Sequence, residues 1–85
     1  MYYVSLIQSL SHPDQGYTGL TGDLKARLAK HNAGDVPHTS KFTPWILQTY
    51  VAFWTRERAA RFEQYLKSGS GRAFASRHFW PDLAA

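Results

Sequence analysis

Between Gly16 and Gly34 the sequence runs GYTGLTGDLKARLAKHNAG, and no other stretch constrains the fold so tightly. It reads as a short strand, a glycine turn and a helix stopped by a further glycine, so a strand and a helix must follow one another directly. Drawn at about 100° per residue with Leu24 at zero, the helix puts Leu28 near 40°, His31 near −20° and Arg27 near −60°, with Lys25 and Lys30 pointing away. The helix therefore aims a guanidinium and an imidazole toward its own buried side.

The flanking segments supply the partners such a helix needs. YYVSLIQSL is rich in aromatic and branched residues and predicts a strand. SHPDQG then clusters Pro13, Asp14 and Gly16 as a turn, which makes a hairpin with a short second strand over Gly16 to Gly19. Thr21 or Asp23 is expected to cap the first helix, which runs to Asn32 with Gly34 as its left-handed stop. DVPHTSKFTP, with two prolines, reads as a loop before a third strand, WILQTYVAFW. Thr55 is the expected N-cap of a second helix from Arg56 to Lys67, with Ala59, Phe62 and Leu66 on one stripe. SGSG ends that helix, and Ser70 is expected to cap a last one over GRAFASRHF, before Pro81 and a frayed tail. The order strand, strand, helix, strand, helix, helix implies an α+β fold: a small three-stranded antiparallel sheet with flanking helices.

A chain of 85 residues has room for one core and one site. The absence of cysteine removes disulfides, thiolate metal sites and cysteine nucleophiles together. No apolar run approaches the roughly 20 residues of a membrane helix, and no basic segment precedes a secretory apolar core, so a cytoplasmic location without membrane contact is expected. A net charge of +4 favours an anionic partner, of which nucleic acid is the commonest for a small basic domain.

In the second helix Glu63 lies beside the apolar stripe and mirrors the anomaly of the first. Arg27 and Glu63 have two readings: a structural ion pair between helices, or opposite walls of a polar cleft. In the cleft, an arginine can stabilise charge on a phosphate, a glutamate can bind Mg²⁺, and a phenol or imidazole can take a proton from water. Those are the parts of a phosphodiester hydrolase. One carboxylate suffices, because Mg²⁺ usually keeps several waters and borrows substrate oxygens.

YYVSLI, the triplet YTG at Tyr17 to Gly19, LKARLAKHN with its arginine ten residues after that tyrosine, and RFEQYLKSGSGRAF together resemble the GIY-YIG endonuclease family. The similarity covers nearly the whole chain. It is closest to small stand-alone bacterial proteins related to the N-terminal nuclease domain of the excision-repair excinuclease. The resemblance implies one nuclease-like domain over residues 1–85, a DNA substrate, a role in DNA repair or processing, and a monomer or weak dimer. Tyr17 would position or deprotonate the attacking water, Gly19 would let the backbone turn closely beneath the site, Arg27 would contact the scissile phosphate, and His31 would assist proton transfer. Glu63 would be the sole protein ligand of a divalent cation, Mg²⁺ or Mn²⁺.

The chain departs from the family at the first triplet. Tyr3-Val4-Ser5 lies under it, so Ser5 replaces the tyrosine, and Tyr3, on the same strand face, sits about 6 to 7 Å further along. Two outcomes stay open: an endonuclease working through Tyr17 and His31, or a nucleic-acid-binding module that kept the fold and lost the chemistry. Three further residues are candidates for nucleic-acid contact: Lys41 in HTSKF, Ser70 at the glycine-rich segment, and Arg72 beside it. Trp45, Trp54 and Trp80 are each either core or base-stacking, with core the commoner fate and one of the first two expected to close it. His12 and His78 are expected on the surface.

Overall fold

The computed structural model describes residues 1–81; the tail expected to fray lies beyond them. Strands β1 (Tyr2–Ser9) and β2 (Gly16–Thr21) precede helix α1 (Leu24–Asn32). Strand β3 (Trp45–Phe53), helix α2 (Arg56–Lys67) and helix α3 (Gly69–His78) complete the order β-β-α-β-α-α. The sheet order is β2-β1-β3, with both pairings antiparallel. The strand at the centre is the first in the chain and is buried from Val4 to Ser9, and its buried polar side chains Ser5, Gln8 and Ser9 are each hydrogen-bonded to backbone carbonyls.

Register divides the sheet into two faces. Val4 and Leu6 face α2 and α3, where they form a core with Ala59, Leu66 and Ala75, and Leu20, Phe53 and Phe62 pack around it. Burying each large aliphatic chain stabilises the fold by about 1.5–3 kcal/mol. On the opposite face, Tyr3, Ser5 and Ile7 line up with Thr21, Gly19 and Tyr17 of β2, and α1 covers this side.

Local chemistry sets the helix ends. Asp23, not Thr21, caps α1: its carboxylate accepts from the Ala26 amide at 3.0 Å, while Thr21 bonds the backbone of Asp23. Past α1, Gly34 takes φ +79°, a region unfavourable for any side chain. Asn32 then clamps β3, its amide donating to the Trp45 carbonyl and its oxygen accepting from the Trp45 amide. Thr55 caps α2 as expected, through the Arg58 amide.

The last cap differs from expectation. Ser68, not Ser70, starts α3, accepting from the Gly71 amide at 3.2 Å while its own hydroxyl donates to the Tyr65 carbonyl at 2.6 Å. One residue thus ends α2 and begins α3, and the glycines of SGSG form the first turn of α3. Of the paired tryptophans, Trp45 is buried and its indole N–H donates to the Thr39 carbonyl, whereas Trp54 lies past the end of β3 and is 79% exposed. No helix among the described residues is long and apolar enough to cross a membrane.

Candidate active site

The site is built where β2 passes beneath α1. Tyr17 and Gly19 lie two apart on β2 and share a face. Arg27 comes down from α1 onto the same spot: a Cβ on Gly19 would stand 3.5 Å from Arg27 Nη2 and 3.6 Å from Tyr17 Cε2. The guanidinium and the phenol ring therefore flank one small patch of backbone. Arg27 Nε is buried and has no hydrogen-bond partner. Almost every buried donor is paired, and one left alone costs about 1–3 kcal/mol, so Arg27 is held on the Gly19 backbone at a cost to the fold.

His31 lies one turn further along α1 and is 1% exposed. Its ring packs on Tyr17 with centroids 5.2 Å apart and on Trp45 at 6.4 Å. Its Nδ1 is 2.8 Å from the Thr39 hydroxyl, which also bonds the Val36 carbonyl. Burial pushes the imidazole pKa down, and the positive charges of Arg27 and Lys30 push it the same way. His31 is thus held uncharged at neutral pH, the form able to take a proton.

A stability prediction follows from the sign of that shift. In the unfolded chain His31 takes up a proton as pH falls through about 6.5, while the folded protein resists until lower pH. Below that point the unfolded state binds more protons, so stability is lost with acidification until the folded-state pKa is passed. Urea melts of wild type and His31→Gln on both sides of this window are expected to show a shallower acid loss in the variant. Identical pH profiles would remove His31 as the cause.

Glu63 lies on α2, which packs on the face of the sheet opposite α1. Its side chain, 20% exposed, pairs with Lys67 at 3.7 Å, the one ion pair among the described residues. The interhelical Arg27–Glu63 pair is not formed. Lys67 and Tyr17 line the same cleft, and Glu63 is joined to its wall only through the Lys67 pair. Among the described residues no three His, Asp or Glu side chains cluster as a metal site.

Tyr3 and Ser5 share a face of β1. The Tyr3 ring packs edge-on against Tyr50 at 5.7 Å, and the Ser5 hydroxyl donates to the Gly19 carbonyl at 3.4 Å. Tyr50 is the β3 partner of Ser5 and is 50% exposed, so a phenol borders this position from a strand where none was expected. Finding it required the β1–β3 register, which shifts between Leu6 and Ile7. Thr39 was also missed as a partner of His31. In HTSKF the hydroxyls are engaged within the protein, Thr39 as above and Ser40 on the Pro37 carbonyl, while Lys41 is exposed above the Phe42 ring. Ser70 and Arg72 are exposed on α3, and His12 and His78 are at the surface as expected.

Residues 1–75 match the family model described as the GIY-YIG catalytic domain. Among curated proteins none matches the chain. A solution NMR structure of a UPF0213 protein from Bacillus halodurans is 29% identical, with 95% of this chain and 89% of that one covered and a TM-score of 0.54. The matched segment takes in both strands of the hairpin, α1 with Arg27 and His31, and all of α2 with Glu63. By that match and by its sheet order, the chain belongs to the GIY-YIG family and carries a nuclease-type domain.

Proposed function

We propose that the domain is a metal-dependent DNA endonuclease acting in DNA repair or processing. The observation that carries this reading is the Arg27 guanidinium, set beside the Tyr17 ring over Gly19 with no carboxylate paired to it among the described residues. A phosphate oxygen is the anion suited to it, because a guanidinium offers several donors in a planar fork.

Arg27 binds the scissile phosphate and stabilises the negative charge that grows as the attacking water bonds to phosphorus. Tyr17 orients that water, and His31, uncharged, receives its proton. The bond from phosphorus to the leaving ester oxygen then breaks. Divalent-metal dependence is general for GIY-YIG nucleases, and the donor set here fits such an ion. Glu63 is a hard carboxylate whose lysine partner, at 3.7 Å, is beyond hydrogen-bond range. Mg²⁺ or Mn²⁺ held by Glu63 would supply Lewis-acid stabilisation of the phosphate.

A second reading rests on Ser5, whose hydroxyl is turned onto the backbone where the family has a tyrosine. It makes the domain a nucleic-acid-binding module without chemistry. Supercoiled plasmid and branched DNA incubated with the protein in Mg²⁺ or Mn²⁺, against an EDTA control, separate the two. Nicked product that appears only with metal is the expected result. Binding without cutting in either metal overturns the endonuclease reading in favour of the module.

A further inference from the structure

Thr39 directly precedes a single helical turn over Ser40–Phe42, the position from which a threonine hydroxyl commonly caps the first amides. Its hydroxyl makes no such bond. It is turned onto His31 of α1 instead, with Oγ1 2.8 Å from the ring Nδ1. Both side chains are shut away from water, Thr39 at 2% exposure and His31 at 1%. The backbone of Thr39 is fixed on either side: its amide donates to the Val36 carbonyl at 3.1 Å, and its carbonyl accepts from the Trp45 indole at 2.9 Å and the Phe42 amide at 3.1 Å. A hydroxyl held so firmly against an imidazole decides which ring nitrogen carries the hydrogen.

The direction of the bond follows from counting protons. A threonine hydroxyl has one hydrogen to give and two lone pairs with which to accept. Thr39 Oγ1 donates to the Val36 carbonyl at 3.3 Å, so its contact with His31 runs the other way, the ring N–H donating and the hydroxyl oxygen accepting. In an uncharged imidazole a hydrogen on Nδ1 leaves a bare lone pair on Nε2. Nε2 has no hydrogen-bond partner among the described residues, yet Arg27 Nε is the one side-chain nitrogen or oxygen among them that is both buried and unpaired. Nε2 is therefore the point at which this buried ring meets solvent. Thr39 closes one side of the imidazole and leaves the basic side open.

We propose that Thr39 is a positioning residue for phosphodiester hydrolysis: by accepting from Nδ1–H it holds His31 in the tautomer whose Nε2 receives the proton of the attacking water. The catalytic half of this rests on the endonuclease reading. When the proton moves to Nε2 the ring becomes a cation with a hydrogen on each nitrogen, and Thr39 goes on accepting from Nδ1 while its own hydrogen stays on the Val36 carbonyl. The hydroxide left behind bonds to phosphorus, the ester P–O bond breaks, and the departing oxygen takes a proton from solvent. The opposite orientation, with the hydroxyl donating to Nδ1, puts the hydrogen on Nε2 and blocks the transfer.

The tautomer is read from two-bond nitrogen–proton correlation spectra of protein carrying isotope-labelled histidine, at about pH 8, above the ordinary histidine range. A ring nitrogen bearing hydrogen and one with a bare lone pair resonate far apart, and the His31 signals are those lost in His31→Gln. Wild type is expected to carry the hydrogen on Nδ1. Thr39→Val keeps the shape without the hydroxyl, and the Val36 carbonyl retains the backbone amides of residues 39 and 40. This variant, its fold checked by a thermal melt, should move the hydrogen to Nε2 and slow metal-dependent plasmid nicking about 10-fold or more, as when a group that orients a functional histidine is removed. Its binding of DNA in EDTA should be unchanged. Thr39→Ser should restore the wild-type tautomer and most of the rate. Hydrogen on Nε2 in wild type overturns the proposal, as does a Thr39→Val protein that nicks at the wild-type rate or slows with the hydrogen still on Nδ1. The spectrum needs neither metal nor DNA and so keeps the two readings apart. Hydrogen on Nδ1 without nicking defeats the endonuclease, and nicking with hydrogen on Nε2 defeats only the role of Thr39.

Discussion

Arg27→Leu is expected to lower the rate of metal-dependent DNA cleavage by about 10³-fold or more while leaving the thermal melting point unchanged or higher. The magnitude is that of losing an arginine aimed at a transferring phosphate, or one donor of a preorganised anion site. The sign of the stability change comes from Nε, which is buried without a partner in the free protein, so its desolvation is a standing cost that leucine does not incur. Leucine also keeps apolar contact with Gly19 and the Tyr17 ring. Arg27→Lys should recover only part of the rate, because an ammonium cannot present the planar fork. Cleavage time courses paired with thermal melts check both halves. If Arg27→Leu loses stability and activity in parallel, the guanidinium serves the fold, and the case for a phosphate site goes with it.

The opposite behaviour of rate and stability is hard to obtain from a structural ion pair, and this is where sequence and structure part. The apolar periodicity that brings Arg27, His31 and Glu63 to buried sides is correct for all three, because side-chain direction on a helix follows from spacing alone. Which of them meet depends on how two helices on different faces of a sheet are set against each other, and spacing carries none of that. The caps divide in the same way. Asp23, Thr55 and Gly34 act within a few residues of themselves, and their chemistry is legible. Ser68 is not, because it serves two helices at once and SGSG offers two serines of equal local merit. Thr39 and Tyr50 lie beyond reach for a third reason. The first acts across a loop on His31, and the second is placed opposite Ser5 only through a pairing whose register shifts midway.

The joint between α2 and α3 is where a single methyl group should do most damage. Gly71 is buried against the end of α2, and a Cβ there would overlap the carbonyl carbon and oxygen of Tyr65 and stand 2.7 Å from Leu66 Cα. All three atoms are backbone, so no rotamer change relieves the clash. The helices must part, which uncovers Leu66 and Ala75 and opens the wall of the cleft that Lys67 and Tyr17 line. Gly71→Ala is therefore expected to cost about 4 kcal/mol or more, the range reserved for forced core disruption, and a domain this small has only about 5–15 kcal/mol in total. Gly69→Ala is the internal control. It lies two residues earlier in the same turn, a Cβ there meets nothing within 4 Å, and its φ is not positive. Alanine at that position should stabilise by about 0.4–1 kcal/mol through the unfolded chain and the helix. Urea melts of the two variants against wild type should therefore move in opposite directions, and equal shifts would show that the helices meet less closely than Gly71 requires.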